Sequence, residues 1–185
     1  MKYEPYDYQK YATNFIEEKQ ASAVFLSMGL GKTVITLSAL FDLLFDSFDV
    51  HKVLVIAPLR VAKFTWPSEI EKWEHLSFLK YSVVVGTEVQ RKKALDEKAD
   101  IYIINRENVQ WLIDKSGYKF DYDMIVIDEL SSFKNGKSVR FKSLLKVRPL
   151  AKRIVGLTGT PSGNGLMDLC AEFKLLDYGV RLERF

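Results

Sequence analysis

The sequence predicts an α/β fold: a mostly parallel central sheet with helices on both faces. Three observations point there. Six strand-length apolar runs alternate with helical patterns along the 185 residues. The runs are apolar throughout rather than at every second position, as expected of strands covered on both faces. And the runs pass directly into polar residues, at Ser27, Pro58, Asn105, Asp128 and Thr158. In a parallel sheet the strands share one direction, so these tails fall on a single rim, the edge where ligands of such sheets bind.

Taken in order, Pro5-Tyr6-Asp7 opens a helix reaching about residue 19, with Asp7 at the N-cap and Tyr8, Tyr11, Ala12, Phe15 and Ile16 on one face. The run 23–26 is the first strand and turns into a helix over 34–45. The run 52–57 is the second. A helix around 61–75 follows, whose Trp66 and Trp73, seven apart, share a face as packing residues. Residues 81–85 form the third strand, and Thr87-x-x-Gln90 is a capping box for a helix to about residue 98. Residues 101–104 are the fourth strand, with a short helix through Trp111 after it, and 124–127 the fifth. A basic segment with a helical centre fills 134–150, 153–157 is the sixth strand, and a last amphipathic helix over 166–176 carries Cys170 on or near its apolar face. With no repeat, low-complexity segment or long linker, one domain is the simplest reading.

Composition excludes several classes. No apolar run approaches the ~20 residues that span a bilayer, and residues 1–5 lack the apolar core of a signal peptide. Cys170 is the only cysteine, so no disulfide forms within the chain, and no Cys/His cluster has zinc-site spacing. A cytoplasmic or otherwise intracellular protein without membrane partners is expected. The net charge of +3 says little, but its distribution is uneven. From Leu130 through Met167 there is no Asp or Glu, while Lys134, Lys137, Arg140, Lys142, Lys146, Arg148, Lys152 and Arg153 all fall there. Such a segment reads either as a footprint for a phosphate backbone or as a solvated helix face or a surface docking onto an acidic neighbour.

The chemistry concentrates in Ser27-Met28-Gly29-Leu30-Gly31-Lys32-Thr33, where a strand becomes a helix. Glycines bring backbone N–H groups close to phosphate oxygens, and the helix N-terminus adds its positive dipole end. Lys32 supplies a flexible charge for the outer phosphates of ATP, and the Thr33 hydroxyl a ligand for magnesium. The usual pattern has glycine five residues before Gly31, where this chain has Leu26. Asp128-Glu129 completes the site: a carboxylate at the end of a buried strand suits magnesium, and Glu129 suits deprotonation of the attacking water. The Gln9 amide, able to donate and accept together, suits an adenine edge with the nearby tyrosines stacked on the base; a surface helix packed by aromatics is the competing reading, and the one composition alone favours.

The order of these motifs resembles the first RecA-like lobe of superfamily-two helicases, which are P-loop NTPases, and within them the Swi/Snf-like DNA translocases. Met28-Gly29-Leu30-Gly31-Lys32-Thr33 resembles motif I, and Tyr8-Gln9 the adenine-reading motif upstream. Ala57-Pro58-Leu59 with Trp73 is similar to motif Ia, Ile103 to Glu107 more loosely to motif Ib, Asp128 to Ser131 with Lys134-Asn135 to motif II, and Leu157 to Pro161 with Asn164 to motif III. The resemblance implies an ATP-driven motor lobe acting on nucleic acid, double-stranded DNA first. A strand-separating helicase on DNA or RNA and a nucleotide-gated adaptor without turnover are the alternatives. It implies coupling through the Thr158 and Thr160 hydroxyls. Ser131 replaces the family's histidine, so its link to motif III must be a shorter hydroxyl contact or be made differently. Arg60, Lys63 and Arg106 follow strands on the rim and, with Lys134 and Lys137, are candidate nucleic-acid contacts. The family's arginine finger belongs to a second RecA-like lobe that this chain lacks. A fragment that binds ATP weakly and hydrolyses it slowly is the expectation.

Overall fold

The six apolar runs become six parallel strands in one sheet, ordered β1-β6-β5-β2-β4-β3. They are β1 (Ala21–Phe25), β2 (Val53–Ala57), β3 (Tyr81–Val84), β4 (Ile101–Asn105), β5 (Met124–Asp128) and β6 (Arg153–Thr158). The computed structural model describes residues 1–159 and 166–180, of which 166–168 by backbone alone. The helices are α1 (Asp7–Glu18), α2 (Lys32–Phe41), α3 (Trp66–Lys72), α4 (Glu88–Asp96), α5 (Val109–Asp114), α6 (Val139–Val147) and α7 (Leu166–Asp177).

Successive strand residues point to opposite faces, so each strand feeds two cores. Val53, Val55 and Ala57 pack with Ile16 of α1, Ile35, Leu37 and Leu40 of α2, and Trp66 and Ile70 of α3. Leu54 and Ile56, between them in sequence, pack with Leu112 of α5, Leu144 of α6 and Leu175 of α7. Both faces of β2 and β4 are buried at every residue, which is why their sequences show no alternation.

Several expectations shift by a residue or a turn. Tyr6, not Asp7, holds the cap position of α1: its backbone N–H donates to the Gln9 side chain, and Asp7 is already helical. The buried stripe of α1 accordingly runs through Gln9 and Ile16, leaving Tyr8 and Tyr11 exposed. The helix expected over 61–75 is broken into a π-helical turn, Val61–Thr65, then α3, then a 3₁₀ turn, Glu74–Leu76. Pro67, which has no N–H to donate, sits in the first turn of α3 and marks this break. Trp66 and Trp73 therefore do not share one helix face: Trp66 starts α3 and Trp73 lies beyond its end. Cys170 is exposed, because the buried stripe of α7 follows Glu172, Leu175 and Leu176, and a residue two before Glu172 points away from it.

The basic segment is not one surface. Arg148 is buried and caps α7, donating to the carbonyls of Leu175 and Leu176 at 2.8 and 2.9 Å and to that of Ala151 at 2.9 Å. Arg153 does the same for α1, donating to the Glu17 carbonyl at 2.9 Å while pairing with Asp49. Lys146 pairs with Asp114, and Arg140 donates to the Ser132 carbonyl. Helix ends leave carbonyls without intrahelical partners, and these arginines satisfy them. Replacing Arg148 with Ala strands the Leu175 and Leu176 carbonyls and that of Ala151 and should lower unfolding stability by about 3 kcal/mol, read by urea denaturation.

Where α1 ends against the turn after α2, Glu17 faces Asp42. Burial, the hydrogen bond to Asp42 and the charges of Asp42 and Asp46 push the Glu17 carboxyl up to about 7, with Arg153 opposing. The folded chain therefore holds this proton more tightly than the unfolded chain. The resulting stability is complete below about pH 4.5 and drains away as pH rises through 7. Glu17→Gln is expected to raise the melting temperature at pH 8 and to leave it nearly unchanged at pH 5.

Candidate active site

The parallel register carries the polar tails to one rim: Phe25 lies beside Thr158, Leu157 beside Asp128, and Ala57 beside Asn105. Strand order then places β6 between β1 and β5, so the segments 26–33, 128–131 and 158–159 meet.

The loop between β1 and α2 turns through two left-handed glycines, Gly29 and Gly31, each at φ +82°. Gly31 is also hemmed in by its neighbour. A Cβ there would stand 2.6 Å from Gln9 Nε2, so glycine alone suits both the backbone and the space. Gln9 is buried and ties the loop to α1: its Oε1 accepts the Tyr6 N–H at 3.0 Å, and its Nε2 donates to the Leu30 carbonyl at 3.4 Å. The Tyr8 hydroxyl reaches the same carbonyl at 3.2 Å. Met28 and Leu30 are exposed on the loop.

Lys32 Nζ donates to the carbonyls of Leu26 at 2.7 Å and Ser27 at 3.1 Å, so the ammonium lies under the loop rather than out in solvent. Gly159 backs this arrangement, since a Cβ built on it would lie 3.5 Å from the Leu26 carbonyl and 3.9 Å from Lys32 Nζ. A cavity of about 720 Å³ opens beside the loop. It is lined by Tyr6, Tyr8 and Gln9 on the α1 side, by Gly29, Gly31, Lys32 and Thr33, and by Glu69 and Trp73 across from them. Asp128, Glu129 and Thr158 are not in that lining; Asp128 lies within reach of the Lys32 charge, and the adjacent Glu129 is hydrogen-bonded to Thr158.

At the end of β5, burial pushes the Asp128 carboxyl above its ordinary value. The Trp66 hydrogen bond opposes this, the adjacent Glu129 charge adds to it, and Lys32 pulls it back. Glu129 sits at φ +67° and ψ +66°, a left-handed conformation that costs a residue with a Cβ about 1–3 kcal/mol. What the turn achieves is visible in its contacts. Glu129 Oε1 accepts from Ser131 Oγ at 2.5 Å and from Thr158 Oγ1 at 3.1 Å. Ser131 and Thr158 thus meet on the same oxygen of Glu129. Thr160 lies outside the described residues.

Lys32, Asp128, Glu129 and Thr158, separated by up to 126 positions in sequence, are therefore neighbours. The candidate nucleic-acid residues are more varied. Arg60 and Lys63 are exposed past β2, and Lys134 and Lys137 past β5. Arg106, past β4, is half-buried and paired with Glu107 at 2.9 Å. One residue of the site was read only as packing: Trp66, whose Nε1 donates to Asp128 Oδ2 at 2.9 Å. The signal available in sequence was that a buried indole N–H requires a partner, and that Trp66 follows β2, the strand beside β5.

Compared with known families, the sequence matches the SNF2-related domain over residues 8–183, nearly its whole length. The chain belongs to the SNF2-related family. Protein p41 of Acyrthosiphon pisum secondary endosymbiont phage 1 is 39% identical over 97% of this SNF2-related chain, which spans 40% of that protein. The chromatin remodeling factor mit1 of Schizosaccharomyces pombe is 32% identical over 82% of the chain, which spans 11% of it. Among solved structures, the SWI2/SNF2 ATPase core of Sulfolobus solfataricus in complex with dsDNA superimposes with a TM-score of 0.81 at 26% identity. That match covers 96% of the SNF2-related chain and 36% of the Sulfolobus one. The sheet and its helices are thus a RecA-like lobe of the Swi2/Snf2 type, corresponding to about two fifths or less of these relatives. Among the described residues, no helix is long and apolar enough to cross a membrane.

Proposed function

We propose that this chain is the ATP-binding motor lobe of a Swi/Snf-like, ATP-dependent DNA translocase, working inside the cell and completed by a second RecA-like lobe. The observation that carries the reading is the meeting of Lys32, Asp128, Glu129 and Thr158 at the rim beside a cavity of nucleotide size. Gln9, with Tyr6 and Tyr8 around it, receives the base. The N–H groups of 28–33 and the N-terminus of α2 receive the phosphates, whose oxygens replace the Leu26 and Ser27 carbonyls as partners of Lys32.

The donor set fits magnesium: a threonine hydroxyl, one carboxylate and phosphate oxygens are all hard ligands, and this ion keeps much of its water. Thr33 and Asp128 would hold it, and when bound it neutralises charge building on the transferring phosphoryl group. Glu129 is the general base. Both neighbouring hydroxyls bind its Oε1, so Oε2 is the oxygen left to take a proton from the attacking water. Thr158, fixed to Glu129 at one end and to the tail of β6 at the other, carries the state of the γ-phosphate toward the rim where Arg60, Lys63, Lys134 and Lys137 meet nucleic acid.

Double-stranded DNA is the proposed track, in keeping with the duplex bound by the Sulfolobus core. ATPase stimulation of the two-lobed polypeptide by duplex DNA, single-stranded DNA and RNA tests this. Duplex DNA should stimulate most. Preference for a single strand or RNA would favour a strand-separating helicase, and no turnover with any of the three would favour an adaptor.

A further inference from the structure

We propose that Trp66 is a positioning residue for the metal-binding carboxylate: its indole N–H pins Asp128 Oδ2 and so fixes the direction in which the other oxygen faces the ion. The assignment rests on the ATP-site reading above and adds a residue to it. The hydrogen bond is 2.9 Å long, and Trp66 is fully buried. The indole belongs to the apolar cluster containing Ala57, Ala62, Ile70 and Val126, and Pro67 beside it fixes the start of α3. Close packing of this kind restrains the ring. An indole nitrogen only donates, so the contact also favours the carboxylate in its ionised, accepting form.

A magnesium ligand requires that fixity more than most, because the ion demands near-ideal octahedral directions. Groups that hold a ligand from behind set its orientation, and their loss commonly lowers metal affinity 10–100-fold. Position in the chain adds a consequence. Trp66 directly follows the π-helical turn Val61–Thr65, so Lys63 within that turn and Arg60 just before it lie three and six residues from the group that orients Asp128.

Trp66→Phe keeps most of the ring and removes the donor. Titrating a fluorescent ATP analogue in EDTA should give an affinity within about twofold of the unaltered protein. The gain on adding magnesium should fall by about tenfold. In an Asp128→Asn background, Trp66→Phe should remove nothing further. A readout that needs no Trp66 variant is the indole N–H resonance in the NMR spectrum of the unaltered protein, which should move when magnesium joins the nucleotide complex. Equal losses with and without magnesium, an additive loss in the Asp128→Asn background, or an unmoved resonance would overturn the assignment alone. Failure of the unaltered protein to bind nucleotide would overturn the ATP-site reading and this assignment with it.

Discussion

Glu129→Gln is expected to lower DNA-stimulated ATP turnover by about 10²–10⁴-fold while leaving ATP affinity within a few-fold of normal. The amide has nearly the shape of the carboxylate and can still accept from Ser131 and Thr158, so the turn and its left-handed backbone survive. It cannot take a proton from water. Single-turnover hydrolysis and equilibrium nucleotide binding, measured on the same preparation, separate turnover from affinity. A variant that loses both in equal proportion would place Glu129 in binding rather than proton transfer.

Lys32→Ala is expected to fail one step earlier. The ammonium is held under the loop by two carbonyls at 2.7 and 3.1 Å, and in the proposed complex it exchanges them for phosphate oxygens. Charge-assisted hydrogen bonds to an ionised partner contribute about 1.5–3 kcal/mol, so ATP affinity should fall roughly 10–100-fold. Without nucleotide the melting temperature should also fall modestly, because the Leu26 and Ser27 carbonyls lose their shared donor while Gly29, Gly31 and Gln9 still shape the rest of the loop. Calorimetric titration with ATP reads the affinity directly. Full affinity in the variant would place the triphosphate away from this loop.

Much of this was legible in the sequence because it depends on local rules. Six apolar runs gave six strands, and the Thr87 and Gln90 pair does cap α4, with Gln90 N–H on Thr87 Oγ1 and Thr87 N–H on Gln90 Oε1. The convergence of tails on one rim followed from parallel topology alone. What escaped was decided by partners distant in sequence. Nothing near Arg148 or Arg153 reveals that each arginine would close the end of a helix more than twenty residues away, so a run of bases looked like one surface. Trp66 looked like any core aromatic until β2 and β5 were placed side by side. Ser131 posed the opposite difficulty: the missing histidine was plain, but the meeting of the Ser131 and Thr158 hydroxyls on Glu129 accompanies a left-handed turn at that residue, which no local rule assigns to a glutamate.

A crystal of the protein grown with a non-hydrolysable ATP analogue and manganese in place of magnesium tests the common pocket most directly, because the anomalous signal locates the ion without reference to any assigned role. The ion should lie between Thr33 Oγ1 and the Asp128 carboxylate, with the triphosphate along 28–33 and Lys32 turned onto its oxygens. An ion bound elsewhere on the molecule, or a triphosphate remote from the loop, would contradict it.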